Sequence, residues 1–491
     1  MSEWRRISPW MIVVRPLHEV VGVLPVLLAF VLLGRGDPQQ LAWSGGVLVL
    51  LLGRGLVLWW RTSYRVGQER VELHTGLFGR RERALLRDRV RTVERTARFG
   101  HRLFGLAEVH IGTGQQETRL QLDGVTSAEA DRLRAELLRR APAGGEAAGS
   151  APEESEADSG AVLASLDWKW LRYAPLTLSG IASLGVGAAA STRILNEVND
   201  EGDWVAGLAQ WFGSRLSRYS LAADVVGGLI ALALLVTVVS LAGYAVSYAG
   251  YVLTRQPDGT LRVRRGLLTA RSVAIEEARL RGLRMRQEPL LRAARGARLS
   301  AITSGLGRRS ESGLLVPPAP LDEVHRIGAE VGHAAESPVA VPLTGHPRAA
   351  LRRRLVRSVG AVLVVAALAG GLRAWGPWPD WPWITALCLL PLAAVLALDR
   401  YRALGHALDD RWLVSRSGAL RRDTDALHRS GVIGWKVHRS FFQRRSGLLT
   451  LEPTTASAHA RPLVVDIDEQ EGLELAGRAV PHLLDHLTVR D

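Results

Sequence analysis

The chain has 491 residues, too many for one ordinary core, and its 47% hydrophobic content is clustered instead of evenly spread. Long apolar runs alternate with arginine-rich polar stretches, which points to a polytopic membrane protein and away from a string of soluble domains. The formal net charge is +14, with Lys169 and Lys436 the only lysines among 62 basic residues, and the single cysteine, Cys388, excludes an intramolecular disulfide and a cysteine-built metal site.

Apolar segments fall at 19–34, 41–60, 172–190, 223–250, 355–372 and 381–398. Each is near the roughly 20 residues that a helix needs to cross a bilayer, and local thinning or flanking Arg and Trp accommodates the shorter ones. No small-residue cleavage site follows the first run, so it is read as a retained span. Arg54 is the main charge within a span and is placed to snorkel. The connections 35–40, 191–222 and 373–380 are poor in arginine, whereas the flanks carry Arg5, Arg6, Arg15, Arg61, Arg65, Arg352, Arg353 and Arg354. The positive-inside rule then predicts six transmembrane helices in three hairpins, with both termini and all large segments cytoplasmic. Trp375, Trp378, Trp381 and Trp383 would line the opposite interface, and an amphipathic helix over 205–216 would lie on the outer surface.

A faint repeat follows each pair of spans. GLFGRRERAL starts at Gly76, GLLTARSVAI at Gly266 and GALRRDTDAL at Gly418, each returning to an alanine at Ala84, Ala274 or Ala426. That pattern reads as strand, glycine turn, strand. A second glycine recurs at Gly105, Gly296 and Gly447, followed by an alternating strand toward Thr113, Ser304 or Thr455. Each unit closes with a helical pattern, clearest where Thr126 and Glu129 have capping-box spacing. The predicted division is a membrane hairpin over 1–61, a β-rich domain over 62–140, a disordered acidic linker over 141–166, a hairpin over 167–250, a domain over 251–336, a linker over 337–347, a hairpin over 348–400 and a domain over 401–491.

This arrangement, with RPLHEV and HPRAAL before spans one and five, resembles the bacterial PH-like membrane proteins of the YdbT type. The first repeat carries the likeness best, with its glycine turn, Arg89 and Val90, and the segment from Arg102 to Gly105. In the third, Gly431 and Val432 replace Arg89 and Val90; in the second, Ala293 stands where Arg102 does. The resemblance covers essentially the whole chain. It implies three cytoplasmic PH-like domains, each a pair of small sheets closed by a C-terminal helix, and a role in envelope stress or in resistance to membrane-active peptides. It implies no catalytic residues.

Phosphate loops, nucleophile elbows and HExxH motifs are absent from the sequence, so no enzyme activity and no cofactor or metal is expected. His482 and His486 have metal-compatible spacing, but a solvated helix face explains them. The candidate contacts are the basic clusters at the strand turns: Arg80, Arg81 and Arg83; Arg262, Arg264 and Arg265; Arg421 and Arg422. Held near a bilayer, they would meet anionic headgroups at about 1 kcal/mol per charge; the plainer reading is positive-inside loops in an arginine-rich chain. No stacking aromatics accompany them, which argues against nucleic acid. The expected function is a membrane scaffold presenting three PH-like domains to anionic lipid or another membrane protein. The alternative is a transporter or lipid-handling protein using the six-helix part, which would need converging polar groups inside the spans.

Overall fold

In a computed structural model, residues 4–12, 14, 53–75, 81–112, 119–138, 160–177, 221–303, 313–376, 378–455 and 462–481 are described, apart from 54, 55, 58, 68, 87–89 and 91. The first three predicted spans lie wholly or largely outside them. The chain divides into two compact units, residues 1–276 and 277–491.

In the first unit, β1 (Arg5–Arg6), β2 (Ser63–Val66), β3 (Arg70–Thr75) and β4 (Arg81–Leu86) form one antiparallel sheet in sequence order. β5 (Thr92–Ala97), β6 (Leu106–Gly112) and β7 (Arg119–Thr126) begin a second sheet, with the short α1 (Phe99–Leu103) between β5 and β6. α2 (Ser127–Leu138) follows, and the Glu129 backbone N–H donates to the Thr126 hydroxyl at 3.3 Å as the capping spacing predicts. Strand alternation sends Val71, Leu73, Val109, Ile111, Leu120 and Leu122 into one core with Leu133 of the helix. Ile7, Met11 and Val14 join that core, and the Trp59 indole donates to the Ile7 carbonyl at 3.0 Å.

The second sheet does not stop at the first domain. β8 (Ala161–Ser165), β9 (Val252–Arg255), β10 (Thr260–Arg265) and β11 (Ala270–Glu276) continue it in the order β7-β6-β5-β11-β10-β9-β8. A 3-10 helix (Trp168–Leu176) follows β8, and α3 (Leu221–Tyr248) precedes β9.

The second unit repeats the device. β12 (Leu280–Gln287), α4 (Pro289–Ala293), β13 (Gly296–Thr303), β14 (Leu314–Pro320) and α5 (Leu321–Val331) complete the second domain's set of strands and helix. β14 holds Pro317 and Pro318, which its place at a sheet edge tolerates. After α6 (Arg348–Trp375), α7 (Trp381–Cys388) and α8 (Leu390–Arg402) come β15 (Gly405–Leu408), β16 (Trp412–Ser417) and β17 (Arg422–His428), which extend that sheet as β14-β13-β12-β17-β16-β15. β18 (Val432–His438), α9 (Phe441–Arg445), β19 (Leu448–Thr455), β20 (Val464–Asp468) and α10 (Glu469–Ala479) close the third domain around Leu413, Leu427, Leu451, Ile467 and Leu475.

The described parts thus hold β-rich, antiparallel repeats and two stretches long and apolar enough to cross a membrane, α6 and the α7–α8 pair. The apolar window of α6 is wholly unburied, as lipid-facing surface would be. Trp375, Trp378 and Trp381 are exposed at the turn between them, where an aromatic belt would sit.

The pairings reach back across the predicted spans: the first two domains gain a strand from before them, and the third an isolated bridge. β1 pairs with β2, β8 with β9, and Thr344 bridges to His406. The linkers drawn at 141–166 and 337–347 therefore give up residues 161–165 and Thr344 to the domains. In the first of these, the short apolar stretch Ala161–Ser165 follows the acidic residues and finds a strand partner in β9, so composition alone misplaced the boundary.

Candidate functional site

The glycine turns lie at the ends of the domains that meet the apolar helices. Gly266 and Gly418 have φ of +103° and +109°, and a Cβ there would fall 2.1 Å and 1.9 Å from the carbonyl oxygens of Thr269 and Arg421. Only glycine closes these hairpins. In the first unit the Gly266 N–H donates to the Ala249 carbonyl at 2.9 Å and the Leu267 N–H to the Val246 carbonyl at 2.8 Å. Val246 lies in the last turn of α3 and Ala249 just past its end, where carbonyls lack intrahelical partners. The turn is therefore pinned to the helix end, leaving Leu267 and Leu268 about half exposed.

The third domain pins its turn by side chains. Arg416 Nε donates to the Ala403 carbonyl at 3.1 Å, just past the end of α8. Arg292 of α4 and Arg422 of β17 converge on one oxygen of Asp399 in the last turn of α8, at 3.0 and 3.1 Å. Burial, with Arg292 close by, lowers the Arg422 pKa below the ordinary arginine value. Leu420 stays exposed at the turn.

The start of α6 is held by a buried cluster. Asp466 is fully buried, at φ +60°, and accepts from Arg353 at 2.6 Å, Arg354 at 3.1 Å and the Gln443 amide at 2.9 Å. A left-handed conformation at a non-glycine residue is tolerated here because three donors fix the carboxylate. Beside it, His346 Nδ1 faces the Asp466 carbonyl at 3.2 Å and His346 Nε2 lies 3.3 Å from His406 Nδ1. Burial pushes both imidazoles toward the neutral form, and His406, with His346 next to it, falls to about 4. The Phe441 and Phe442 rings project from α9, one residue past Ser440, whose hydroxyl accepts from Arg353 at 3.4 Å; both are exposed.

The arginines singled out from sequence separate into two kinds. Arg80 lies outside the described residues, and only the backbone of Arg81 is described, at the start of β4 opposite Thr75. Arg83 and Arg264 are exposed on β4 and β10, and Arg262 is half-buried on β10. Arg265 is only 6% exposed, its guanidinium 5.3 Å above the Tyr248 ring at the end of α3. Arg421 is exposed and bonds Asp423 at 3.3 Å, while Arg422 is taken up by Asp399. Arg265 and Arg422 are thus engaged inside the protein.

One alignment drawn from sequence is corrected. The left-handed residue after the short helix is Gly105 in the first domain, Gly447 in the third and Arg295 in the second, at φ +53°. Gly296 instead opens β13, so Arg292, not Ala293, stands where Arg102 does, and Arg444 is the third of the set. A glycine one position late concealed the register. Sequence reasoning also missed Asp399, Asp466, His346 and His406. A lone carboxylate closing an apolar run and an aspartate alternating with Val465 and Ile467 were the available signals. His482 and His486 lie outside the described residues, and among the described residues no three His, Cys, Asp or Glu side chains gather as a metal site.

Residues 16–141, 205–335 and 354–484 each match the family described as bacterial PH domain. The chain belongs to the bacterial PH domain family. It is also similar, at 22% identity over 504 residues, to the UPF0699 transmembrane protein YdbT of Bacillus subtilis (strain 168), covering 96% of this chain and 97% of that protein. No solved structure is significantly similar. The chain is therefore a membrane protein of the YdbT and bacterial PH domain family, with three PH-like repeats.

Proposed function

We propose that this protein is a non-enzymatic membrane scaffold: six helices in three hairpins hold three cytoplasmic bacterial PH domains at the inner face of the membrane, for protein partners or anionic lipid. The observation that carries this reading is the linkage of domain to domain and domain to helix. Sheets run through from β5 to β11 and from β12 to β17, and each described apolar helix or helical hairpin is tied at its domain end by hydrogen bonds or ion pairs. A chain whose membrane part moves as a transporter gate gains nothing from welding its soluble parts together, whereas a platform needs that rigidity. Exposed Leu267, Leu268, Leu420, Phe441 and Phe442 beside the exposed cations Arg264, Arg421 and Arg444 suit the headgroup and acyl boundary.

The test is cysteine accessibility on a Cys388→Ser background in intact cells and in inverted vesicles. Single cysteines at Ser310, Asp410 and Glu474 should label only from the cytoplasmic side, and one at Asp203 only from outside. Labelling of the domain positions from outside would overturn the topology. Lipid contact is read from co-purified phospholipid: Arg264→Glu with Arg421→Glu should lower the anionic fraction, and an unchanged fraction leaves protein partners as the ligands.

A further inference from the structure

The two sheet junctions share one register. Val93, six residues before the start of α1, faces Ala274, eight residues after Gly266. Leu283, six residues before the start of α4, faces Ala426, eight residues after Gly418. In each case the strand preceding the short helix of one domain receives the strand following the glycine turn of the next.

β18 is the strand that precedes the short helix in the third domain. It pairs with β19 on one side and, among the described residues, is the outer strand of its three-stranded sheet. Ile433 is 61% and Val437 47% exposed. An open strand edge of this kind is a template for another strand. The side chains also keep the pattern of a used junction. At β12 and β17, Arg284 bonds Asp425 at 2.5 and 2.8 Å and Arg286 bonds Asp423 at 2.9 Å. Counted back from the short helix, Lys436 holds the place of Arg284 and His438 that of Arg286. Arg102 and Arg292 reach forward to the next repeat, to the Leu267 carbonyl and to Asp399; Arg444, their counterpart, is exposed and has no side-chain partner among the described residues.

We propose that β18 docks the strand of a fourth bacterial PH domain, carried by a separate protein, with two carboxylates two residues apart opposite Lys436 and His438. This deepens the scaffold reading and rests on it. A second copy of this chain fits poorly. Its corresponding outer strand is β4, and the shared register sets Trp435 opposite Ala84, so that Lys436 meets Arg83 and His438 meets Arg81. Like charges directly opposite destabilise a strand pair. Glu452 on β19 already bonds His438 at 2.9 Å, so Lys436 carries most of the selection.

The experiment places a photoreactive benzophenone amino acid at Ile433 of the full-length protein in its native membrane and maps the adduct to the residue. The expected adduct lies on a bacterial PH domain strand of another protein, with the two carboxylates in that spacing. Lys436→Glu should cut its yield about tenfold, the size of one lost charge pair, and a lysine in place of the facing carboxylate should restore it. Thermal unfolding of Lys436→Glu, expected unchanged, separates lost docking from lost folding. An adduct on residues 81–86 of a second copy, on a protein without such a strand, on lipid alone, or no adduct overturns the proposal. Inverted topology would appear in the accessibility assay and leave the adduct unaffected, so the two readings fail separately.

Discussion

The apolar helices of the two units are fastened to their domains by different means. At α3 the work is done by backbone hydrogen bonds from the Gly266 turn and by Arg265 over the Tyr248 ring. At α6 and α8 it is done by ions: Arg353 and Arg354 on Asp466, Arg292 and Arg422 on Asp399. A backbone clasp needs only a glycine turn of the right shape and tolerates most side chains. A buried ion cluster is all-or-nothing, because removing one member strands the others without solvent. The two fastenings should therefore respond very differently to single substitutions.

The largest effect is expected at Asp466. Asp466→Ala leaves Arg353 and Arg354, both less than a fifth exposed, without their carboxylate, and should destabilise the third domain by about 3–5 kcal/mol. Chemical denaturation of the purified protein, read at Trp435 and Trp412, checks this. A loss below about 1 kcal/mol would mean that water reaches the cluster and that the contrast between the fastenings is false.

Acid should loosen the same fastening next. The folded-state pKa of His406 is near 4, below its ordinary 6.5. Between those values the unfolded chain binds the proton and the folded chain does not, so stability is whole above pH 6.5 and is lost as pH falls toward 4, by up to about 3 kcal/mol. Glu471 Oε1, 3.4 Å from His406 Nε2, is placed to soften the loss. Melting temperature measured from pH 7.5 to 4.5 should fall, and His406→Gln should flatten the slope. An equal slope in the variant would assign the acid sensitivity elsewhere.

Much of the frame was legible in the sequence because it rests on local rules. The turns at Gly266 and Gly418 follow from sterics that only glycine satisfies, and the Thr126 cap from a three-residue spacing. α6 and the α7–α8 pair follow from long, nearly uncharged apolar runs. What was not legible depends on chain segments far apart. β8 belongs to a sheet whose next strand, β9, begins at Val252, and the long stretch of sequence between them hides the connection. The sheet junctions pair strands of different repeats, so alignment of the repeats to one another could not reveal them. Arg265 and Arg422 looked like solvent-facing charges because sequence does not show that Tyr248 and Asp399 wait at the helix ends. The arginine set at Arg102, Arg292 and Arg444 was hidden by Arg295, which takes a backbone conformation that glycine holds in the other two domains.

The smallest effect is expected at the backbone clasp. Arg265→Met removes the cation from the Tyr248 face but keeps an unbranched side chain that can cover the ring, so the loss should be about 1 kcal/mol. The Gly266 and Leu267 hydrogen bonds do not depend on that charge and should hold the turn on α3. Hydrogen exchange at the Leu267 amide separates the two contributions: Arg265→Met should leave its protection within about threefold, since a kilocalorie shared with the rest of the turn changes local opening little. Gly266→Ala, which forces a Cβ against the Thr269 carbonyl, should abolish that protection while leaving α6 and its ion cluster untouched. If Arg265→Met alone frees the Leu267 amide, the cation and not the backbone holds the turn, and both helices are fastened by charge after all.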